Sequence, residues 1–414
     1  MRRLVAAAAV LGMVASGVFV GSAASADQIR DREYWLSAYG ISSAWNTTKG
    51  AGITVAVIDT GVDGSHEDLT GTVIGGTDVS GVGSPDGQTP VGDSREHGTM
   101  VASLIAGHGH GSGDGVIGSA PEAKILAISI GFGVGTRSSD DQIADAVRWA
   151  VDNGADVINM SLTRNSLEWP QSWDDAFLYA FESDVVVVAA AGNRGSGTTE
   201  VGAPATIPGV LVVGGVDRNG KASFDASSQG ITIAVSAPSE DLVGAAPGGG
   251  YYSWAGTSGA TPIVAGIVAL VRAAHPDLDA GNVIHRLTAT AKSPGVEVPS
   301  PIYGYGLVDA AAAVTANVST VTTSPARDLK DWIHLHRRAE ATPSPTPSDG
   351  RVPSTPTPTP APQSGPQNPL GTILPTVSSL RDVGIPLLVY AVFVALAVAW
   401  SVTLYRRVRG SRHR

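Results

Sequence analysis

Residues 53–59 read ITVAVID, an apolar run of strand length that ends in a carboxylate, Asp59. An ionised side chain directly after so apolar a run is costly to bury unless it is paired. Further apolar runs follow along the chain and alternate with segments of helical periodicity. Such alternation, with strands apolar on both faces, indicates a parallel sheet covered by helices. We therefore predict an α/β fold with strands at 53–59, 123–130, 156–162, 184–193 and 209–216, and with helices at 97–107, 139–155, 174–183 and from Ser258 onward.

Polar side chains stand at the ends of several of these predicted elements. Asp59 ends the first strand, Asn193 ends a later one, and His97 begins the first helix. Ser258 precedes the apolar run IVAGIVALV, where a lone serine is usually a helix N-cap. Functional groups of a parallel sheet collect at the carboxyl ends of its strands. We therefore expect the four side chains to meet at one edge of the sheet.

These four residue types suit acyl transfer. A serine hydroxyl is a weak nucleophile that needs a neutral imidazole to take its proton, and the imidazole needs a carboxylate to orient it. The backbone N–H of Ser258 and the side-chain amide of Asn193 are donors suited to a developing oxyanion. The order Asp59, His97, Ser258 differs from that of α/β-hydrolases and of the chymotrypsin type. The sequence GTSGA also lacks the second glycine of the esterase motif Gly-x-Ser-x-Gly, so that both features argue against an esterase.

Four segments of the chain resemble the Asp, His, Asn and Ser motifs of subtilisin-like serine proteases. They are VAVIDTGVDGSHEDL, HGTMVASLIAG, VVVVAAAGN and GTSGATPIVAG, and they occur in that order within residues 50–314. The resemblance implies a subtilisin-like three-layer fold with a central parallel sheet, and peptide-bond hydrolysis through an acyl-enzyme. It makes Ser258 the nucleophile, His97 the general base and acid, Asp59 its orienting partner and Asn193 the oxyanion donor.

The same resemblance implies residues that bind the substrate. The segment NMSLT (159–163) is similar to the edge that pairs with the substrate backbone, although an ordinary strand end is an equally good interpretation. Thr163 stands where a glycine is usual, so the adjoining subsite is expected to be narrower. The small walls of the primary pocket imply an apolar or medium-sized side chain there. The implied substrate-binding residues are Ser161, Leu162 and Gly133 along the edges, and Ala190, Ala191, Gly192 and Gly202 around the pocket.

The two ends of the chain carry targeting features. Residues 1–26 combine two arginines, an apolar stretch and a small-residue cleavage site, which is typical of a secretory signal, with an N-terminal anchor as the alternative. Residues 383–405 are uncharged and long enough to form a transmembrane helix. The five arginines of the basic tail 406–414 favour a single-pass protein with a cytoplasmic C-terminus and an extracellular catalytic domain. Between these ends we predict a short N-terminal extension (27–49), a subtilisin-like peptidase domain (50–340) and a Pro-rich linker (341–382).

This organisation resembles the mycosins, membrane-anchored subtilases associated with type VII secretion. The resemblance implies protein or peptide substrates and a type VII secretion membrane complex as a partner. Two alternatives stay open, namely a general cell-surface protease and a structural subunit whose catalysis is dispensable. The extension 27–49 is too short for a folding pro-domain, so that either it lies across the cleft or partners limit the activity.

Composition and charge exclude several other functions. The chain has 27 basic and 37 acidic residues, and because arginines are concentrated at the two predicted targeting ends, the exported part is strongly acidic, which argues against nucleic acid. The absence of cysteine excludes a thiolate zinc site and a cysteine nucleophile. His108, His110 and Asp114 lie in a glycine-rich segment that we expect to be a solvated loop, and the acidic segment 63–68 leaves calcium open. We therefore predict no resident metal and no required cofactor.

Overall fold

The computed structural model of the chain describes residues 29–337, except Ser112 and Thr136. The predicted signal peptide, linker and transmembrane helix lie outside these residues and stay predictions. The strands are β1 (Thr54–Asp59), β2 (Val73–Asp78), β3 (His108–His110), β4 (Asp114–Ile117), β5 (Lys124–Ser129), β6 (Val157–Met160), β7 (Val186–Ala190), β8 (Leu211–Val216), β9 (Ile233–Pro238), β10 (Leu242–Ala245) and β11 (Tyr251–Trp254). The helices are α1 (Trp35–Ala38), α2 (Ile41–Ala44), α3 (His97–Ala106), α4 (Ser139–Asp152), α5 (Ser172–Glu182), α6 (Thr257–Ala274), α7 (Ala280–Ala289), α8 (Ala310–Thr315) and α9 (Pro325–His336).

Seven strands form one sheet in the order β2-β5-β1-β6-β7-β8-β9, and every pair in it is parallel. The prediction of an α/β fold with a central parallel sheet is therefore confirmed. The two edge strands, β2 and β9, were not predicted, and β2 was missed because it reads VIGGTD, and glycine is depleted in strands. The glycines serve close packing here, since a Cβ on Gly76 would stand 2.2 Å from the carbonyl oxygen of Ala127 in β5.

Helices cover both faces of the sheet. On one face α6 packs against α3 and the strands β6 to β9. Among the described residues α6 is the one helix long and apolar enough to cross a membrane, and burial in the core accounts for its composition. On the other face α4 and α5 pack around Trp173 and Phe177, both fully buried. The sheet thus lies between two helical layers, with the carboxyl ends of β1, β6 and β7 side by side.

The described part of the N-terminal extension, 29–49, is built into the domain. Trp35 and Ile41 are fully buried in the same core as α6. The buried carboxylate of Glu33 accepts the N–H of Ile117 at 3.0 Å, which fastens the segment to β4. The interpretation in which this segment lies across the cleft is therefore wrong, because its apolar side chains complete the core instead.

Candidate active site

Asp59 and His97 form a hydrogen-bonded pair at the carboxyl edge of the sheet. Asp59 is the last residue of β1 and is 1% exposed, and His97 is the first residue of α3. His97 Nδ1 lies 2.8 Å from Oδ1 and 2.9 Å from Oδ2 of the carboxylate. The Thr60 N–H also donates to Oδ1 at 2.7 Å, so that two donors compensate the buried charge. A carboxylate opposite Nδ1 keeps that nitrogen protonated and leaves Nε2 to accept a proton.

The pKa of His97 is raised above its ordinary value. Burial disfavours the imidazolium, but the charge and the hydrogen bond of Asp59 outweigh burial, and Glu96 adds to them. The Trp254 ring stands edge-on to the imidazole, with the ring centroids 5.5 Å apart. Asp59 therefore stabilises the protonated form of His97 in place, a property that suits a residue which takes up and returns a proton.

Gly98 brings α3 close to the loop that follows β1. A Cβ on Gly98 would stand 2.2 Å from the carbonyl oxygen of Gly61, so that no larger residue fits. The Gly98 N–H donates to Thr60 Oγ1 at 3.0 Å. Thr60 thus contacts both the Asp59 carboxylate and the helix that carries His97. This positioning residue was missed in the sequence, because only the fold brings the two elements together.

Ser258 lies in the first turn of α6, next to the end of β6. The helix begins at Thr257 and its N-cap is Gly256, at φ +136°, so the prediction that Ser258 opens the helix is off by one residue. Ser258 Oγ donates to the Ser161 carbonyl at 3.2 Å, and Ser161 Oγ donates to the Ser258 carbonyl at 2.9 Å. The serine side chain is therefore held by the neighbouring strand end and does not cap its own helix.

Asn193 faces the start of α6 from the end of β7. The Thr257 N–H lies 2.8 Å from Asn193 Oδ1, and Thr257 Oγ1 lies 3.0 Å from the same atom. Because an N–H can only donate, the amide atom that faces it is oxygen, and Nδ2 points the other way, beside Gly256. In the described part of the chain we find no acceptor for the Ser258 N–H. The Asn193 amide and this N–H are thus two donors suited to an oxyanion at the helix N-terminus.

The predicted substrate-binding residues surround this edge. Ser161, Leu162 and Thr163 line a cavity of about 200 Å³ together with His97 and the exposed Phe132. The remaining predicted residues lie near this cavity in the chain or the fold. Gly133 follows Phe132 in the same loop at φ +69°, Ala190 and Ala191 are buried at the end of β7, and Gly192 and Gly202 are buried beside Thr163.

The histidine-rich segment 108–114 is part of the β3–β4 hairpin and is not the solvated loop that we expected. His110 Nδ1 lies 2.6 Å from Oδ1 of the fully buried Asp68. This hydrogen bond raises the pKa of His110. The expectation failed because Asp68, 42 residues away in the sequence, supplies the partner that orders the segment.

In the acidic segment 63–68, carboxylate oxygens accept hydrogen bonds from other groups of the chain. Asp63 Oδ1 accepts the N–H of Ser65, and Asp63 Oδ2 accepts the N–H of Gly248 at 2.7 Å. Burial opposes ionisation of Asp63, but these hydrogen bonds lower its pKa. Within the described residues, no group of three or more His, Asp or Glu side chains is arranged to hold a metal ion.

The fold and this edge of the sheet together define a class of protein. A parallel sheet that carries, at its carboxyl edge, a hydrogen-bonded Asp–His pair and a serine in the first turn of a helix is typical of a serine peptidase. The Subtilase family matches this chain over residues 50–306, and the chain belongs to that family. It is therefore a subtilisin-like serine endopeptidase.

Known proteins agree with this assignment. The chain is 40% identical over 272 residues to subtilisin DY from Bacillus licheniformis, which covers 64% of this chain and 92% of that protein. It is similar to the structure of MycP3 protease from the type VII (ESX-3) secretion system, with a TM-score of 0.59, 35% identity and coverage of 69% of this chain and 88% of that one. It is also similar to MycP1 from Mycobacterium smegmatis, with a TM-score of 0.60, 30% identity and coverage of 71% of this chain and 87% of that one.

Proposed function

We propose that Asp59, His97 and Ser258 hydrolyse peptide bonds as a catalytic triad, with Asn193 as an oxyanion donor. The observation that carries this proposal is the contact of His97 Nδ1 with both Asp59 oxygens, at 2.8 and 2.9 Å. It leaves Nε2 as the proton acceptor at the cavity that His97 and Ser161 line. The hydrogen bond between Ser258 and Ser161 supports a serine hydroxyl at the same place.

The first half of the proposed reaction forms an acyl-enzyme. Ser258 Oγ leaves the Ser161 carbonyl by rotation of its side chain, attacks the substrate carbonyl carbon and gives its proton to His97 Nε2. The carbonyl oxygen becomes an oxyanion, which Asn193 Nδ2 and the Ser258 N–H stabilise. The peptide C–N bond then breaks, and the imidazolium donates its proton to the leaving amine.

The second half hydrolyses the ester. Water attacks the ester carbonyl carbon and gives a proton to His97 Nε2, and the proton returns to Ser258 Oγ as the ester C–O bond breaks. Asp59 stays ionised throughout and stabilises the imidazolium in both halves. Thr257 holds the Asn193 amide in its donor orientation before the oxyanion forms, so that no reorganisation is needed at that moment.

We further propose that the enzyme acts outside the cell, anchored by a single span, in association with a type VII secretion complex. The signal-like residues 1–26, the uncharged residues 383–405 and the arginines of 406–414 support this topology. Similarity to MycP3 from a type VII (ESX-3) secretion system supports the association. Protein or peptide chains handled by such a complex are the proposed substrates.

Labelling with a fluorophosphonate tests the triad without a known peptide substrate. An activated serine oxygen bonds to the phosphorus of the reagent and displaces fluoride, so that labelling reports an assembled site. We expect the full-length chain to be labelled and Ser258→Ala to be inert. The matched control is Ser42→Ala, which removes an exposed hydroxyl on α2 and should be labelled like the wild type. Labelling that persists in Ser258→Ala, or a folded wild type that stays unlabelled, would contradict the proposed triad.

Deletion of the proline-rich residues 341–369 tests the proposed association. A docked enzyme needs a fixed distance between its membrane span and its catalytic domain, so we expect intact fluorophosphonate labelling but impaired secretion in cells. Secretion equal to that of the wild type would count against docking on a membrane complex.

A further inference from the structure

We infer that Thr163 restricts the primary specificity pocket to small side chains, and not to the medium-sized ones that its glycine and alanine walls alone imply, so that the enzyme cleaves after glycine, alanine or serine in preference to large residues. This inference rests on the proposed function, because it concerns the substrate residue whose carbonyl carbon Ser258 attacks. It adds to the proposed function the kind of side chain that is accepted before the scissile bond, and the residue, Thr163, that selects it.

The position of the attacked carbonyl determines where the selected side chain lies. The carbonyl carbon meets Ser258 Oγ, and its oxygen points to Asn193 Nδ2. Two chain segments flank this point. Residues 161–163 are held against Ser258 by the two hydrogen bonds of Ser161, and residues 190–193 end in the oxyanion donor. The side chain of the residue before the scissile bond therefore enters the space between these two segments.

The side chain of Thr163 lies beside this space and contacts Gly192 of the second segment as well as Gly202, which belongs to a third segment. A Cβ on Gly192 would stand 3.3 Å from Thr163 Cγ2, and a Cβ on Gly202 would stand 2.9 Å from Thr163 Oγ1. The methyl group and the hydroxyl group of one side chain thus fill volume that a glycine at position 163 would leave to the substrate.

The glycine walls of the pocket are closely packed against other residues. Gly192 has φ +100°, and a Cβ on it would already stand 2.8 Å from Thr198 Cγ2. A Cβ on Gly202 would stand 1.8 Å from the carbonyl oxygen of Arg164. The Gly192 N–H also donates to Thr257 Oγ1 at 3.1 Å, which ties this wall to the oxyanion donors. A shift that widened the pocket would therefore disturb the catalytic edge as well.

Thr163 itself cannot easily swing out of the way. Threonine is β-branched and therefore stiff about χ1. Its hydroxyl donates to the Arg164 carbonyl at 3.2 Å, and the Arg164 N–H donates to the Ala203 carbonyl at 2.7 Å. The segment that carries Thr163 is thus fixed to the segment that carries Gly202.

Matched peptides that differ only in the residue before the scissile bond test the inference on the full-length chain. We expect kcat/KM of the wild type to be roughly 10- to 100-fold higher with alanine than with leucine or phenylalanine, the range by which a pocket of the wrong size discriminates. Thr163→Gly should raise the ratio of kcat/KM for leucine or phenylalanine to kcat/KM for alanine by about tenfold or more. Thr163→Val has nearly the shape of threonine and should keep the preference for alanine.

Fluorophosphonate labelling of the same variants separates this inference from the proposed function. If Thr163→Gly is labelled, its catalytic site is assembled. The control is Thr47→Gly, which removes an exposed threonine side chain elsewhere in the chain. If Thr163→Gly is not labelled, Thr163→Ser, which removes only the methyl group, must shift the preference toward leucine.

Three outcomes overturn the inference while the triad stands, provided that the wild type is labelled through Ser258. They are equal cleavage of alanine and leucine peptides by the wild type, an unchanged preference in a labelled Thr163→Gly or Thr163→Ser, and a lost preference in Thr163→Val. A folded wild type that is not labelled overturns the proposed function itself.

Discussion

His97 and His110 each contact a buried carboxylate through Nδ1, at 2.8 Å from Asp59 Oδ1 and at 2.6 Å from Asp68 Oδ1. Both imidazoles are partly exposed, at 24% and 30% of their side-chain surface, and the pKa of each histidine is raised. In distance, in the exposed fraction of the imidazole and in the direction of the pKa shift, the two pairs are similar. The properties of the pair alone therefore do not make it catalytic.

The difference between the pairs lies at the second ring nitrogen. His110 Nε2 is 3.5 Å from the carboxylate of Glu67, so that both of its nitrogens face acidic groups and the imidazole joins a hairpin to a loop. His97 lines a cavity together with Ser161, whose carbonyl accepts the hydroxyl hydrogen of Ser258. His97 thus lies at a cavity close to a serine hydroxyl, and this surrounding is the reason why we propose His97, and not His110, as the base.

Replacement of each carboxylate by an amide separates the two pairs most strongly. We expect Asp59→Asn to lower kcat by about 10⁴-fold, because the amide no longer keeps His97 in the tautomer that leaves Nε2 free. Asp68→Asn should leave kcat close to the wild-type value, since His110 lies outside the proposed reaction. Peptide hydrolysis by the two purified variants measures this, and circular dichroism checks that each is folded. Equal losses in both variants would remove the functional distinction between the pairs.

The pH dependence of kcat/KM also distinguishes the His97–Asp59 pair from the His110–Asp68 pair, with a smaller expected effect than the replacement of the carboxylates. His97 must be neutral to accept the serine proton, and its pKa is raised, so kcat/KM should fall as the pH decreases through a value above about 6.5, approaching tenfold per pH unit. Asp68→Asn should keep that inflection. The residual activity of Asp59→Asn should have its inflection at lower pH, because the charge that raises the pKa of His97 is gone.

A shift of the inflection in Asp68→Asn as large as that in Asp59→Asn would show that the titrating base is not His97. Fluorophosphonate labelling rates measured over the same pH range provide an independent readout, because they require the activated serine but no peptide.

The sequence was sufficient to predict the candidate catalytic groups but not their supports. Asp59, Asn193 and Ser258 could be predicted because each adjoins an apolar run whose type and direction are evident. Thr257 could not be assigned its role, because its N–H orients the amide of Asn193, 64 residues away in the chain, only after α6 has packed against β7. Long-range contacts of this kind leave no periodicity in the sequence.

The two histidines also show that the sequence does not reveal partners that are distant in the chain. His97 could be assigned because it begins an apolar helix and matches a motif. His110 resembled a residue of a solvated loop, because glycines surround it and its partner Asp68 belongs to a distant segment. The place of the N-terminal segment stayed open for a similar reason, since only the fold places Trp35 in the core.

The smallest effect is expected in the pH dependence of stability, and it concerns His110. Because its folded pKa is raised by Asp68, the stabilisation is fully present below the unfolded value of about 6.5 and is lost as the pH rises through the folded value. We expect His110→Gln to lower Tm at acidic pH and to lower it less as the pH increases, with kcat unaffected. His108→Gln, on the same strand, is the control, because His108 contacts the carbonyl oxygens of Gly109 and Thr70 and no carboxylate. A Tm difference between wild type and His110→Gln that did not change with pH would mean that the His110–Asp68 contact acts as a neutral hydrogen bond. The two Asp–His pairs would then share their geometry but not the stabilisation of a protonated histidine.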